Sequence, residues 1–165
     1  MRTPARRGDD SPDSSPSIEF CRDFLIAAPP HAVWASIART DALARRCAWL
    51  GEFRIDGDGL TPGTVLSGVV SPPLPYRMRV EVVLDECVEA SSIDATVHGD
   101  LEGTAHLVLT DDDEGTLVTA AWTVSMMQRT MQIANRVARP LLLWGHDRVV
   151  DATVAGFRLD LESRD

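Results

Sequence analysis

Alternation of apolar and polar residues predicts a β-sheet over most of this chain. The clearest stretch is 76–84, where Tyr76, Met78, Val80, Val82 and Leu84 alternate with polar residues. Strands that bury one face show this two-residue period. The same pattern predicts seven strands, over 18–27, 51–55, 64–70, 76–84, 91–97, 104–109 and 116–126. Because short turns separate successive strands, we expect an antiparallel meander.

Two short helices are predicted after the first strand. Pro29 and Pro30 suit the start of a helix, because the first turn needs no backbone N–H from proline. That helix should span 31–39 and bury Val33, Trp34 and Ile37. Asp41 is a suitable N-cap for a second helix over 42–47.

A long C-terminal helix is predicted over 128–161. One stripe of it is apolar with helical spacing and contains Val150, Val154, Phe157 and Leu161, with His146 one turn earlier. Pro140 should kink or split the helix. The predicted fold class is therefore α+β: a curved seven-stranded antiparallel sheet that grips one long helix and leaves a cavity between them.

Charge and composition exclude several classes of function. The net charge is −9 with a pI near 4.8, which disfavours nucleic acids and anionic membrane surfaces as partners. No run of about 20 apolar residues could span a membrane. All 16 basic residues are Arg, a composition typical of a bacterium with a GC-rich genome, and the lack of Lys excludes a lysine Schiff base.

The cysteines and the N-terminus complete the domain prediction. Cys21, Cys47 and Cys87 are widely spaced and form no CxxC, so we expect half-buried, reduced thiols in a cytoplasmic protein and no metal site. Residues 1–16 are rich in Pro, Ser, Asp and Arg and predict a disordered tail. Residues 17–165 then form a single domain.

Four motifs resemble the START / polyketide cyclase–dehydrase / lipid-transport superfamily (SRPBCC). They are AAPPHAVW at 27–34, GDLEGT at 99–104, GTLVT at 115–119 with Trp122, and WGHD at 144–147 with Val149. Gly145 stands where Asn is more usual. The resemblance covers about 18–161 and implies the helix-grip fold. It also implies a ligand from the lipids, sterols or polyketides, and in some members a cyclisation or dehydration reaction.

The candidate ligand-cavity residues are the large side chains that should face the sheet's interior. Tyr76, Met78, Trp122 and Met126 come from the sheet, and Met131, Trp144 and His146 come from the long helix. Each could equally be ordinary core packing. His146 could orient a ligand or transfer a proton, or it could be a structural histidine. Catalytic residues stay unassigned, and no cofactor is expected.

Other polar residues are predicted to be solvated. His98 and His106 flank a hairpin and point away from the face of Trp122. The solvent-exposed face of the sheet is predicted to carry Arg77, Arg79, Glu81 and Asp94. The acidic run 111–114 lacks the spacing of a calcium loop and reads as a turn ending at Gly115. No GxSxG, HExxH, GxGxxG or phosphate loop is present.

Three functions fit these patterns. The first is binding of a small hydrophobic ligand between the sheet and the long helix. The second is an aromatase/cyclase or dehydratase in which Tyr76 and His146 guide enolate chemistry. The third is a protein-interaction module. The sequence names neither the ligand nor the oligomeric state.

Overall fold

The computed structural model describes residues 17–39, 49–71, 76–127, 147–148, 151–155 and 158. Within them are seven strands and one complete helix. The elements are β1 (Ser17–Ile26), α1 (Pro30–Ala38), β2 (Leu50–Asp56), β3 (Val65–Val70), β4 (Met78–Val88), β5 (Ser92–Gly99), β6 (Leu101–Asp112) and β7 (Gly115–Met126).

The strands form one antiparallel sheet in the order β1-β7-β6-β5-β4-β3-β2. From β2 to β7 each strand pairs with its neighbour in sequence, which confirms the meander. The first strand instead pairs with the last, from Ser17 opposite Ser125 to Ile26 opposite Thr116. The predicted seven-stranded antiparallel sheet is therefore confirmed.

β4 and β6 extend by several residues past their predicted ends, and one turn is tighter than predicted. β4 continues past Leu84 because a bulge between Leu84 and Glu86 restores the pairing with β5. β6 and β7 extend to Asp112 and Gly115, so the predicted turn over 111–115 shrinks to two residues between paired strand ends. Acidic residues are typical of turns, so the sequence predicted a turn where the strands in fact continue.

Gly99 makes the β5–β6 hairpin possible, as the Gly-Asp pair predicted. Its φ is +108°, and a Cβ at this position would lie 2.5 Å from the backbone oxygen of Arg79. Asp100 then ties three segments together. Its side chain accepts a 2.7 Å hydrogen bond from the Arg79 N–H, and its carbonyl accepts a 3.0 Å bond from the Met127 N–H.

Helix α1 covers one end of the sheet. Pro30 occupies its first turn, and the bounds fall within a residue of those predicted. Val33, only 1% exposed, packs with Ile26, Leu109 and Val118, and Trp34 and Ile37 contact this cluster and a neighbouring one around Leu84. Thr116 donates a 2.6 Å hydrogen bond to the Ala28 carbonyl and so joins the start of β7 to the chain entering α1.

Two contacts attach the C-terminal segment to β1. Asp147, Arg148, residues 151–155 and Arg158 are helical. An Asp151 carboxylate oxygen lies 2.9 Å from the Arg22 guanidinium, and Arg158 donates a 3.2 Å hydrogen bond to the Leu25 carbonyl. These described residues therefore contact the edge strand β1, whereas the predicted long helix over 128–161 is not confirmed.

Several predictions fall outside the described residues. They are the tail over 1–16, the second short helix over 42–47, most of the long helix over 128–161, and the kink at Pro140. Among the residues that the structure does describe, no helix is long and apolar enough to cross a membrane.

Candidate functional site

The inner face of the sheet is the face that contacts α1, and it is the candidate ligand surface. The pairing register assigns to this face the alternate residues of each strand, including Ile26, Trp122, Leu107 and Leu84. Large apolar side chains fill both ends of it. The α1 end holds the cluster around Val33, and the opposite end holds a cluster around Met78 and Met126.

Small residues lie between these two ends. Ala105 and Ala95 are paired directly across β6 and β5, and Ala120 lies on the same face of β7. Gly68 on β3 and Gly103 on β6 belong to the same face by register. Because strands 4.7–4.9 Å apart bring these positions together, the middle of the inner face has a floor of small side chains, which we call the low floor. Ala95 is the most buried of its alanines, at 5% exposed, and packs with Leu84 and Ile93.

An aromatic pair borders that floor. The rings of Phe20 on β1 and Trp122 on β7 stack with centroids 4.2 Å apart and planes 24° apart. Phe20 and Trp122 are directly paired residues, and both are half-buried. The pair therefore forms an aromatic apolar group beside the small residues of the inner face.

Tyr76 belongs to the cluster at the end away from α1. It packs with Met78 and Met126, of which 8% and 4% of the surface is exposed. Burial raises the pKa of the Tyr76 phenol above its ordinary value of 10.0. At neutral pH the phenol is therefore a protonated hydroxyl that can donate a hydrogen bond.

The structure thus brings together three of the seven candidate residues. Tyr76, Met78 and Met126 form one cluster, and Trp122 stands on the same face beside the small residues. Met131, Trp144 and His146 lie outside the described residues. Their role, and cavity lining by all seven, stays a prediction.

Arg22 on β1 belongs to the inner face, although we did not predict this from the sequence. The register puts it opposite Ala120, on the same face as Phe20 and Phe24. A strict two-residue period counted from Phe20 predicts that Arg22 lies on this face.

The outer face is polar, as predicted. His98 and His106 are exposed and lie on the face opposite Trp122. His106 is not only solvated, since its Nδ1 pairs with the Asp94 carboxylate. Two further cross-strand hydrogen bonds join Thr96 to Asp85 and Thr119 to Asp23, at 2.7 and 2.6 Å. No group of three or more metal-ligating side chains occurs within the described ranges.

The two described cysteines differ from each other. Cys87 is half-buried as predicted, and burial together with the Asp94 and Glu86 charges raises the pKa of its thiol. Cys21 is exposed, contrary to the prediction, because its position in β1 faces outward opposite Ala121. Cys47 lies outside the described residues.

Solved structures share this fold at low sequence identity. The aromatase/cyclase ZhuI from Streptomyces sp. R1128 superposes with a TM-score of 0.68 and 15% identity, covering 90% of this chain and 94% of its own. The di-domain ARO/CYC StfQ of the steffimycin pathway gives 0.69 and 15%, covering 90% of this chain and 52% of its own. Ara h 8.0201 gives 0.54 and 16%, covering 82% of this chain and 99% of its own.

No protein-family model and no curated protein matches the chain. The structural matches nevertheless cover about nine tenths of this chain, including the described sheet and α1. This chain shares the fold of the solved aromatase/cyclases and of Ara h 8.0201, as the sequence resemblance implied.

Proposed function

We propose that this protein binds a small hydrophobic molecule between the inner face of its sheet and the C-terminal helix. The observation that carries the proposal is the low floor, whose half-buried members Ala105 and Ala120 lie between two ends filled by large side chains. A helix laid over such a floor leaves volume that a ligand of a few hundred Å³ can occupy.

A helix over 128–161 would complete the site and supply Met131, Trp144 and His146 as the opposite wall. The described residues Asp151 and Arg158 of that range contact β1, which supports this placement. Methionines adapt their shape to irregular apolar ligands. A cytoplasmic location fits the exposed Cys21 thiol, which reducing conditions would keep from oxidation.

Enlarging one floor residue tests the proposal. Ala105→Phe should fill the middle of the inner face and lower ligand affinity at least about tenfold, because a phenyl group takes the ligand's volume. The matched control is Ala121→Phe, the same change on the outer face of β7. Native mass spectrometry of protein purified from its own host, followed by denaturing extraction, supplies the ligand.

Equal affinity in the two variants would contradict the proposal, provided that circular dichroism shows both folded. A crystal structure with the middle of the inner face filled by the helix's own side chains would contradict it as well.

A cyclase or dehydratase activity is the second candidate. Two matching structures are named as aromatase/cyclases, and the protonated Tyr76 hydroxyl could donate a hydrogen bond to an enolate oxygen. His146 is the partner residue we propose for proton transfer. Turnover of an extracted polyketide-like ligand should fall by about 10²-fold or more in a Tyr76→Phe, His146→Ala double variant. Unchanged turnover would exclude both roles.

A further inference from the structure

Arg22 places a positive charge on an otherwise apolar surface. Within the seven described strands it is the one charged residue on the inner face away from the strand ends, where Asp111 lies. Its neighbours along the same face of β1 are Phe20 and Phe24, and Ala120 stands opposite. Nothing in the packing of a hydrophobic core calls for a guanidinium here, since a charge among apolar groups must be paired or solvated.

The partner of Arg22 can be exchanged. Asp151 lies 2.9 Å from the guanidinium, but the two side chains are 42% and 58% exposed. Ion pairs this accessible to water contribute little, about 0–1 kcal/mol, so another anion of similar geometry can replace the carboxylate at small cost. The Arg22 guanidinium at the edge of the inner face can therefore leave Asp151 and bind another anion.

The surroundings of Arg22 fit an amphipathic molecule. The stacked aromatic rings of Phe20 and Trp122 lie two residues along β1 from Arg22, and the small side chain of Ala120 stands opposite the guanidinium-bearing residue. A ligand could lay a planar apolar body on the aromatic pair and the small residues, and keep an anionic group at the wetter edge. This placement matches the structure, in which Phe20 and Trp122 are half-buried and Arg22 is exposed.

The charge of the whole chain strengthens the case for a local cation. With a net charge of −9, the field around the protein disfavours anions in general. An anionic ligand would need a dedicated guanidinium at its binding site, whereas a neutral ligand would need none.

We infer that the ligand is a hydrophobic anion whose oxyanion group, such as a carboxylate, exchanges with Asp151 for Arg22 while its flat body lies on the Phe20–Trp122 pair. This inference rests on the proposed hydrophobic-ligand site and specifies the class of molecule that enters it.

Two fluorescent probes with the same ring system test the inference. 1-Anilinonaphthalene-8-sulfonate carries an anionic group, and N-phenyl-1-naphthylamine is the same body without it. Arg22→Gln should weaken sulfonate binding about three- to tenfold and leave the neutral probe within about twofold. Asp151→Asn should strengthen sulfonate binding about two- to fivefold, because the competing carboxylate is gone.

The control for net charge is Arg54→Gln. Arg54 is exposed on the outer face of β2, so the substitution changes the total charge equally without touching the site. Both probes should bind this variant as they bind the unchanged protein. Thermal unfolding followed by circular dichroism verifies that all variants are folded at the titration temperature.

Each other outcome is decisive. If Arg54→Gln weakens sulfonate binding as much as Arg22→Gln, the effect comes from total charge and the inference fails. If Arg22→Gln weakens both probes equally, Arg22 serves only to hold the helix, and the inference again fails. If the neutral probe binds and Arg22→Gln leaves sulfonate affinity unchanged, the inference fails while the proposed function stands. If neither probe binds the unchanged protein, the proposed function falls with it.

Discussion

Tyr76 is the single tyrosine of the chain, so its ionisation can be observed without interference from other phenols. Burial raises its pKa above 10.0 in the folded protein. We expect the tyrosinate absorbance near 295 nm to titrate with a midpoint above the value for the same chain in denaturant. A folded midpoint equal to the denatured one would show that Tyr76 is open to water, which would remove it from the candidate site.

The sign of the linked stability change follows from that shift. The folded state holds the phenolic proton more tightly than the unfolded state, so Tyr76 contributes no pH dependence below about pH 9. Its stabilising contribution is lost as pH rises through the raised folded-state pKa. Tyr76→Phe should therefore flatten the alkaline fall in the free energy of unfolding, as measured by urea titration between pH 9 and 11.

Asp100 is a second residue whose side chain has a defined task, although the sequence marked it only as part of a turn. Asp100→Ala removes the acceptor for the Arg79 N–H and should lower the free energy of unfolding by about 1–2 kcal/mol. Asp113→Ala, in the exposed turn before β7, should change it by less than about 0.5 kcal/mol. Equal effects in urea titrations would show that the Asp100 hydrogen bond is unimportant.

At the scale of single elements, α1 supplies a fully buried side chain, Val33, to the core at one end of the sheet. Val33→Ala would remove two methyl groups from a fully buried position and should cost about 1–3 kcal/mol of unfolding free energy. His31→Ala, on the exposed side of the same helix, should cost much less. If Val33→Ala melts at the same temperature as the unchanged protein, α1 does not close the α1 end of the sheet.

The elements were predictable where one local signal dominated. Alternation gave all seven strands, and the proline pair gave the start of α1 within one residue. Strand ends were missed where acidic residues, as at 111–112, continue a ladder that their composition disfavours. The bulges in β2 and β4 were missed because a bulge depends on the partner strand, which one strand's sequence does not show.

The candidate site was predictable in part for the same reason. The facing of Tyr76, Met78, Trp122 and Met126 follows from alternation, which is local. The low floor requires that alanines on different strands be side by side, and this depends on the register between strands. The pairing of Arg22 with Asp151 joins residues far apart in sequence, and no local pattern predicts it.

At the scale of the whole molecule, the sheet joins strands of very different separation in sequence. β5 and β6 are consecutive, whereas β1 and β7 lie at opposite ends of the described sheet sequence. Closing the longer loop costs more entropy, so β1 should join late in folding. Phe24→Leu in β1 should mainly speed unfolding, and Ile93→Val in β5 should mainly slow folding.

Stopped-flow tryptophan fluorescence measures both rates for these two variants. Each substitution must change the unfolding free energy by more than about 0.6 kcal/mol for the comparison to be meaningful. Slower folding in Phe24→Leu would show that the β1–β7 pairing is already present in the transition state.

The pairing of the first strand with the last also has a consequence for synthesis on the ribosome. Residues 17–26 leave the exit tunnel long before residues 115–126 are made, yet only β7 offers them a partner in the native sheet. During that interval Phe20, Phe24 and Ile26 are an unpaired apolar strand in the nascent chain. Molecular chaperones that bind extended apolar segments should therefore bind residues 17–26 early in synthesis, before β7 is made.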